Sequence, residues 1–152
     1  MIVQAKPEDL QTVFDIVQTT IAEIYPHYYP AGAVQFFQEH HSMAHIKKDL
    51  ADGAVYLLYD GDFPAATLTI NGNEINRLFV LPSQQGKGHG TELMTFAEAQ
   101  IAAQYPEAVL CSSFAAQELY MKRGYSVDRY WKIACENGDY LCYYTMKKTL
   151  SR

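Results

Sequence analysis

The run Val80-Leu81-Pro82-Ser83-Gln84-Gln85-Gly86-Lys87-Gly88-His89-Gly90-Thr91 constrains this chain more than any other stretch. An apolar, strand-like segment (residues 75–81) leads into it, and three alternate glycines occupy it. A helical pattern follows at once, with Leu93, Met94, Ala97 and Ile101 on one face. Strand, glycine-rich loop and helix in that order present backbone N–H groups to an anion. The helix N-terminus adds about half a unit of positive charge. Glycine lets a ligand approach the backbone closely and admits positive φ.

Periodicity places the other elements around this one. Residues 2–5 are a short apolar start. Pro7, Glu8 and Asp9 suit the first turn of a helix, and Leu10, Val13, Phe14, Val17, Ile21 and Ile24 recur at helical spacing. Tyr25-Pro26-His27-Tyr28-Tyr29-Pro30 breaks that helix, and residues 33–50 read as a second one. Residues 54–59, 65–70 and 75–81 form a meander, with Asp60-Gly61 and Asn71-Gly72 as hairpin turns. The helix after the glycine loop stops before Pro106, and residues 108–111 form a strand. A strand, helix, strand crossover makes that strand parallel to the third meander strand. Ser113 can cap a short helix that Gly124 ends, and residues 125–133 and 140–147 pair across Asn137-Gly138. The order is β-α-α-β-β-β-α-β-α-β-β.

At 152 residues the chain suits a single domain, 1–152. Its 49% apolar and 19% charged residues fit a soluble globular protein rather than a disordered one. No apolar run is long enough to span a membrane, and residues 1–25 lack the pattern of a secretory signal. Cys111, Cys135 and Cys142 include no C-x-x-C pair, so neither a zinc site nor a disulfide framework is expected, and a cytoplasmic location is the simplest. A net charge of −5 with no basic stripe argues against a nucleic-acid partner. His41 and His45 are four apart and could share a helix face, as two metal ligands do. No Glu follows His41 and no third ligand is evident, so no metal is expected.

Two phosphate loops fail against the letters. The only Gly-Lys, Gly86-Lys87, runs on into Gly88 rather than Ser or Thr, and Gly86, Gly88 and Gly90 do not give G-x-G-x-x-G. Gln-x-x-Gly-x-Gly fits as Gln85, Gly88 and Gly90, with Val80 and Pro82 as the preceding Val-x-Pro. This resembles the pyrophosphate loop of the GNAT superfamily of acyl-CoA-dependent N-acyltransferases. A second stretch is similar to that family's other signature through Ala116, Leu119, Tyr120, Lys122, Gly124 and Tyr125, with Ser113 in place of its Asn. The element order matches along essentially the whole chain.

The resemblance implies an α+β, three-layer α/β/α fold. Its sheet would be mixed and mostly antiparallel, of about seven strands, with a central parallel pair splayed to admit CoA. It implies an enzyme, an acetyl-CoA-dependent N-acetyltransferase. Backbone N–H groups of Gln85, Gly86, Lys87, Gly88, His89 and Gly90, with Thr91 at the helix start, would bind the pyrophosphate. Lys87 either touches a phosphate as a point charge or is solvated. Leu78, Phe79 and Val80 would line the gap, pantetheine pairing with Leu78 and Val80 like an added strand, with the Leu78 N–H aimed at the thioester oxygen. Ser113 would contact the pantetheine arm. Tyr120, a phenol that holds its proton at neutral pH, is the candidate general acid. Glu74 is either the base that takes the amine proton or a solvent-facing strand-end carboxylate. Tyr25, His27, Tyr28 and Tyr29 would form a wall of the acceptor pocket, since aromatic faces attract ammonium groups. The other reading of these aromatics is core packing or a homodimer contact. The expected acceptor is a small primary amine or an amino-acid-like molecule. The alternatives are a protein or peptide amine, at an N-terminus or a lysine, and a non-catalytic acyl-CoA sensor of the same fold.

Overall fold

Helix α1 (Leu10–Ile24) shows how the apolar pattern becomes a packed face. Val13, Ile16, Val17, Thr20 and Ile21 fall along one side and are all buried. Thr20 is tolerated there because its hydroxyl donates to the Ile16 carbonyl at 2.7 Å. The structure is a computed structural model and describes residues 1–151. After β1 (Ile2–Gln4) and α1 come α2 (Ala31–His40), α3 (Met43–Ala51), β2 (Val55–Asp60), β3 (Phe63–Asn71) and β4 (Glu74–Val80). Then follow α4 (His89–Ala102), β5 (Glu107–Ser112), α5 (Gln117–Lys122), β6 (Ser126–Ala134) and β7 (Tyr140–Thr149).

The strands form one seven-stranded sheet in the order β1-β2-β3-β4-β5-β7-β6. Only β4 and β5 are parallel; every other pair is antiparallel. Strand alternation divides the core between the two faces. Leu57 packs with α1, α2 and α3 residues, including Val17, Ala33 and Ile46. Its neighbour Leu58 packs with α4, against Leu93, Met94 and Ile101. Each of those three α4 side chains is essentially unexposed and contributes about 1.5–3 kcal/mol by leaving water. The result is the expected three-layer α/β/α arrangement.

Three local expectations are corrected. The hairpin loops are Gly61-Asp62 and Gly72-Asn73, because Asp60 pairs with Phe63 and Asn71 with Glu74. Each turn therefore lies one residue later than Asp60-Gly61 and Asn71-Gly72. The helix read over residues 33–50 is two helices, broken at His41-Ser42. The Gln18 side chain of α1 donates to the carbonyls of Gln38 and His41 at 3.1 and 2.9 Å, which ends α2. Ser42 then caps α3, its hydroxyl accepting the His45 N–H at 3.4 Å. His41 thus lies in the break after α2 while His45 lies in α3, and the two share no helix face. Finally, α5 begins at Gln117 with Ala116 as its cap. The Ser113 carbonyl accepts the Ala116 N–H at 3.2 Å, and the Ser113 side chain does not cap the helix.

Candidate active site

Two register pairs, Glu74 with Val109 and Ile75 with Leu110, are all that join β4 to β5. Beyond them the strands part, and the β5-facing backbone edge of residues 76–80 has no strand partner. A bulge sharpens the divergence. Three steps on β4, from Asn76 to Phe79, match two on β3, from Thr69 to Thr67. Arg77 takes up the extra residue at a φ of 46°. For a non-glycine residue that region is costly, so something must hold it. The guanidinium does so: it pairs with the buried Asp49 of α3 and donates to Thr69 Oγ1 at 3.4 Å and to His41 Nδ1 at 3.1 Å.

The parted strands open a cleft of about 770 Å³. The glycine loop forms one end of it. Gly88 sits at a φ of 85° as the cap residue of α4, and an added Cβ there would meet nothing within 4 Å. Backbone conformation, rather than crowding, therefore requires glycine. Among the described residues, the backbone N–H groups from Gly86 to Thr91 have no protein acceptor. With the α4 N-terminus behind them, they form an anion cradle that fits a pyrophosphate.

Most residues expected at the site lie on this cleft. Tyr120, Glu74, Leu78, Phe79, Val80, Gln85, Gly86, Gly88, His89, Gly90, Thr91, Ser113, Tyr25, His27 and Tyr28 all line it. Tyr120 is buried, yet among the described residues its hydroxyl has no hydrogen-bond partner, and it is not sealed from solvent. Burial pushes its pKa up to about 12. Glu74 is half-buried, and desolvation raises its pKa. Tyr25 is raised further by burial and sits beside Ser113.

Two expected residues lie elsewhere. Tyr29 does not line the cleft. Its ring is buried, stacks on Phe114 at 5.2 Å, and its hydroxyl accepts the Phe114 N–H at 2.6 Å. It is a packing residue that ties the loop before α2 to the turn before α5. Lys87 also points away, donating to Gln84 Oε1 at 3.1 Å and approaching Asp60 at 3.5 Å. Sequence reasoning missed the triad of Asp49, Arg77 and His41. Its signal was a charged residue on the apolar face of α3, between Ile46 and Leu50, and another inside an apolar strand.

The acetyltransferase (GNAT) domain family matches residues 24–150. The chain belongs to this GNAT acetyltransferase family. No curated protein matches it by sequence. Among solved structures, the GCN5-related N-acetyltransferase of Rhodopseudomonas palustris superposes with a TM-score of 0.89 at 23% identity, covering 99% of this chain and 95% of that one. PaiA N-acetyltransferase of Thermoplasma acidophilum, in complex with coenzyme A, gives 0.75 at 18% identity over 98% of both chains. YncA of Salmonella typhimurium, with its cofactor acetyl-CoA, gives 0.72 at 14% identity over 100% of this chain and 94% of that one. At these identities the likeness is one of fold. Among the described residues of this GNAT domain, no group of three or more His, Cys, Asp or Glu side chains could hold a metal ion. No described helix is long and apolar enough to cross a membrane.

Proposed function

We propose that the protein transfers an acetyl group from acetyl-CoA to a primary amine of a small acceptor. The observation that carries this reading is the bare backbone edge of residues 76–80 ending at a cradle of free N–H groups. An extended amide-bearing arm can pair with such an edge as a strand would, and a pyrophosphate suits the cradle. Coenzyme A and acetyl-CoA in the structures of PaiA and YncA support the same donor.

Bound acetyl-CoA would supply an activated thioester carbonyl; the protein's groups do the rest. Backbone N–H groups from Gly86 to Thr91 hold the pyrophosphate, while the Gln85 N–H, expected among them, donates instead to the Pro82 carbonyl at 3.4 Å. The Leu78 N–H at the bulge donates to the carbonyl oxygen as charge builds there. The Tyr25, His27 and Tyr28 side chains face the acceptor. Glu74 takes the amine proton, directly or through water. Desolvation raises its pKa, which makes the carboxylate a stronger base. The Tyr120 hydroxyl, which keeps its proton at neutral pH, donates to the departing sulfur. The unpaired Cys111, Cys135 and Cys142 support a reducing compartment such as the cytoplasm.

The test is thiol release from acetyl-CoA across a panel of amines, with Tyr120→Phe beside the parent. Release with an amine is expected, and the variant should lose roughly 10²-fold in kcat at unchanged acetyl-CoA affinity. Tight acetyl-CoA binding without turnover on any amine would refute the enzymatic reading. Undiminished turnover in Tyr120→Phe would remove that residue from the mechanism.

A further inference from the structure

His41 gives the cleft a fixed, uncharged hydrogen-bond donor. The Arg77 Nε–H donates to His41 Nδ1 at 3.1 Å. A guanidinium can only donate, so Nδ1 is an acceptor, the ring is neutral and its proton sits on Nε2. Asp49 and Thr69 hold the guanidinium from its other side. The imidazole itself stands edge-on to Phe79, with centroids 5.6 Å apart. Nε2 makes no hydrogen bond among the described residues and, unlike His89 Nε2, is not sealed from solvent. His41 lines the cleft, which makes this N–H a donor for a molecule bound there. Burial and the Arg77 charge push the His41 pKa down to about 3, which keeps the donor neutral at physiological pH.

The charges around it narrow what can bind. Among the residues lining the cleft, only Glu74 and Arg77 carry a formal charge, and Arg77 is neutralised by Asp49. A free amino acid would bring in a carboxylate for which no cation is free. A polyamine would bring a second ammonium with no second carboxylate to meet it. Leaving either charge unpaired in a half-closed cleft is costly. The walls meanwhile offer Tyr25, Phe36, Phe37, Phe79 and Tyr143, which suit an apolar or aromatic body.

Building on the acetyl-transfer reading, we infer that the acceptor is a monoamine with an apolar or aromatic body and a neutral carbonyl that accepts the His41 Nε2–H. The simplest such molecule is an α-amino amide. A free amino-acid amide and the first residue of a peptide share this chemistry.

The experiment measures kcat/KM for thiol release with phenylalaninamide, phenethylamine, phenylalanine, spermidine and an amidated Phe-Ala-Ala peptide. The carbonyl should favour phenylalaninamide over phenethylamine by roughly five- to tenfold, as one uncharged hydrogen bond does. Phenylalanine and spermidine should be poorer still. His41→Leu should collapse the amide-to-amine ratio toward one. His41→Gln, which can both accept from Arg77 and donate into the cleft, should restore much of it. Peptide turnover matching phenylalaninamide would make the source a chain N-terminus; its absence would make it a free small molecule. A preference for spermidine or phenylalanine would overturn the inference while leaving acetyl transfer intact. So would a ratio indifferent to His41→Leu. No release with any amine would sink acetyl transfer itself, and this inference with it.

Discussion

The buried imidazole of His41 should make stability fall in mild acid. In the folded chain its pKa is pushed down to about 3, chiefly by burial and then by the Arg77 charge, with smaller pushes from His40 and His45. In the unfolded chain it returns to the ordinary value of 6.5. Below that value the unfolded state takes up a proton that the native state refuses. The stabilisation is therefore complete above pH 6.5 and erodes as pH falls toward 3. The slope approaches about 1.4 kcal/mol per pH unit. From pH 8 to pH 5 the loss from this residue alone is about 2 kcal/mol. Urea unfolding at both pH values, for the parent and His41→Gln, isolates it. Glutamine offers Arg77 an acceptor but does not titrate. His40, also lowered by burial, His45 and Arg77, is present in both proteins and cancels in first order. The parent should lose about 2 kcal/mol more than the variant. Equal losses would show that His41 is not buried as a neutral acceptor, and the tautomer argument would fall with it.

Other perturbations separate the remaining parts. Arg77→Ala leaves the Asp49 carboxylate buried without its cation and should cost about 3–5 kcal/mol in urea unfolding. A near-neutral effect would mean that the pair does not hold the bulge. At Gly32 an added Cβ would lie 2.4 Å from the Glu136 carbonyl oxygen, where the helix start meets the β6–β7 loop and its N–H donates to Asp139. Gly32→Ala should lower Tm and raise the acceptor KM while acetyl-CoA affinity holds; a fall in acetyl-CoA affinity alone would contradict that placement. Because burial raises the Glu74 pKa, the parent's kcat/KM should climb with pH through that ionisation. Glu74→Gln should be slower and lose this acidic limb, and an identical pH profile would exclude the base role.

The glycine loop and the meander were legible because their signals are local. Alternating strands, Gly-containing turns and the helix that follows the loop need no knowledge of the rest of the chain. The break at His41-Ser42 was hidden because Phe37, Met43 and Ile46 keep an apolar rhythm across it. The cause is Gln18, more than twenty residues earlier, which takes the last carbonyls of α2. Tyr29 illustrates the same limit. Its neighbours Tyr25 and Tyr28 do line the cleft, yet its own ring turns inward to Phe114, a partner only the tertiary fold supplies. The Asp49, Arg77 and His41 triad joins α3, β4 and the break between α2 and α3, and each residue alone looks like an ordinary polar position.

The narrow join between β4 and β5 also divides the hydrogen-bonded sheet into two parts. Every other strand pairing lies wholly within residues 2–80 or wholly within residues 107–149. The ladder that joins the two half-sheets is therefore the shortest in the sheet, and the two cores that pack across it, with Leu57 and Leu141 on one face and Leu58 and Leu110 on the other, hold the halves together. A ligand arm laid along residues 76–80 would add hydrogen bonds on an interior edge the fold leaves bare. Occupancy and stiffness would then rise together, the cosubstrate acting as a strut in the sheet that binds it.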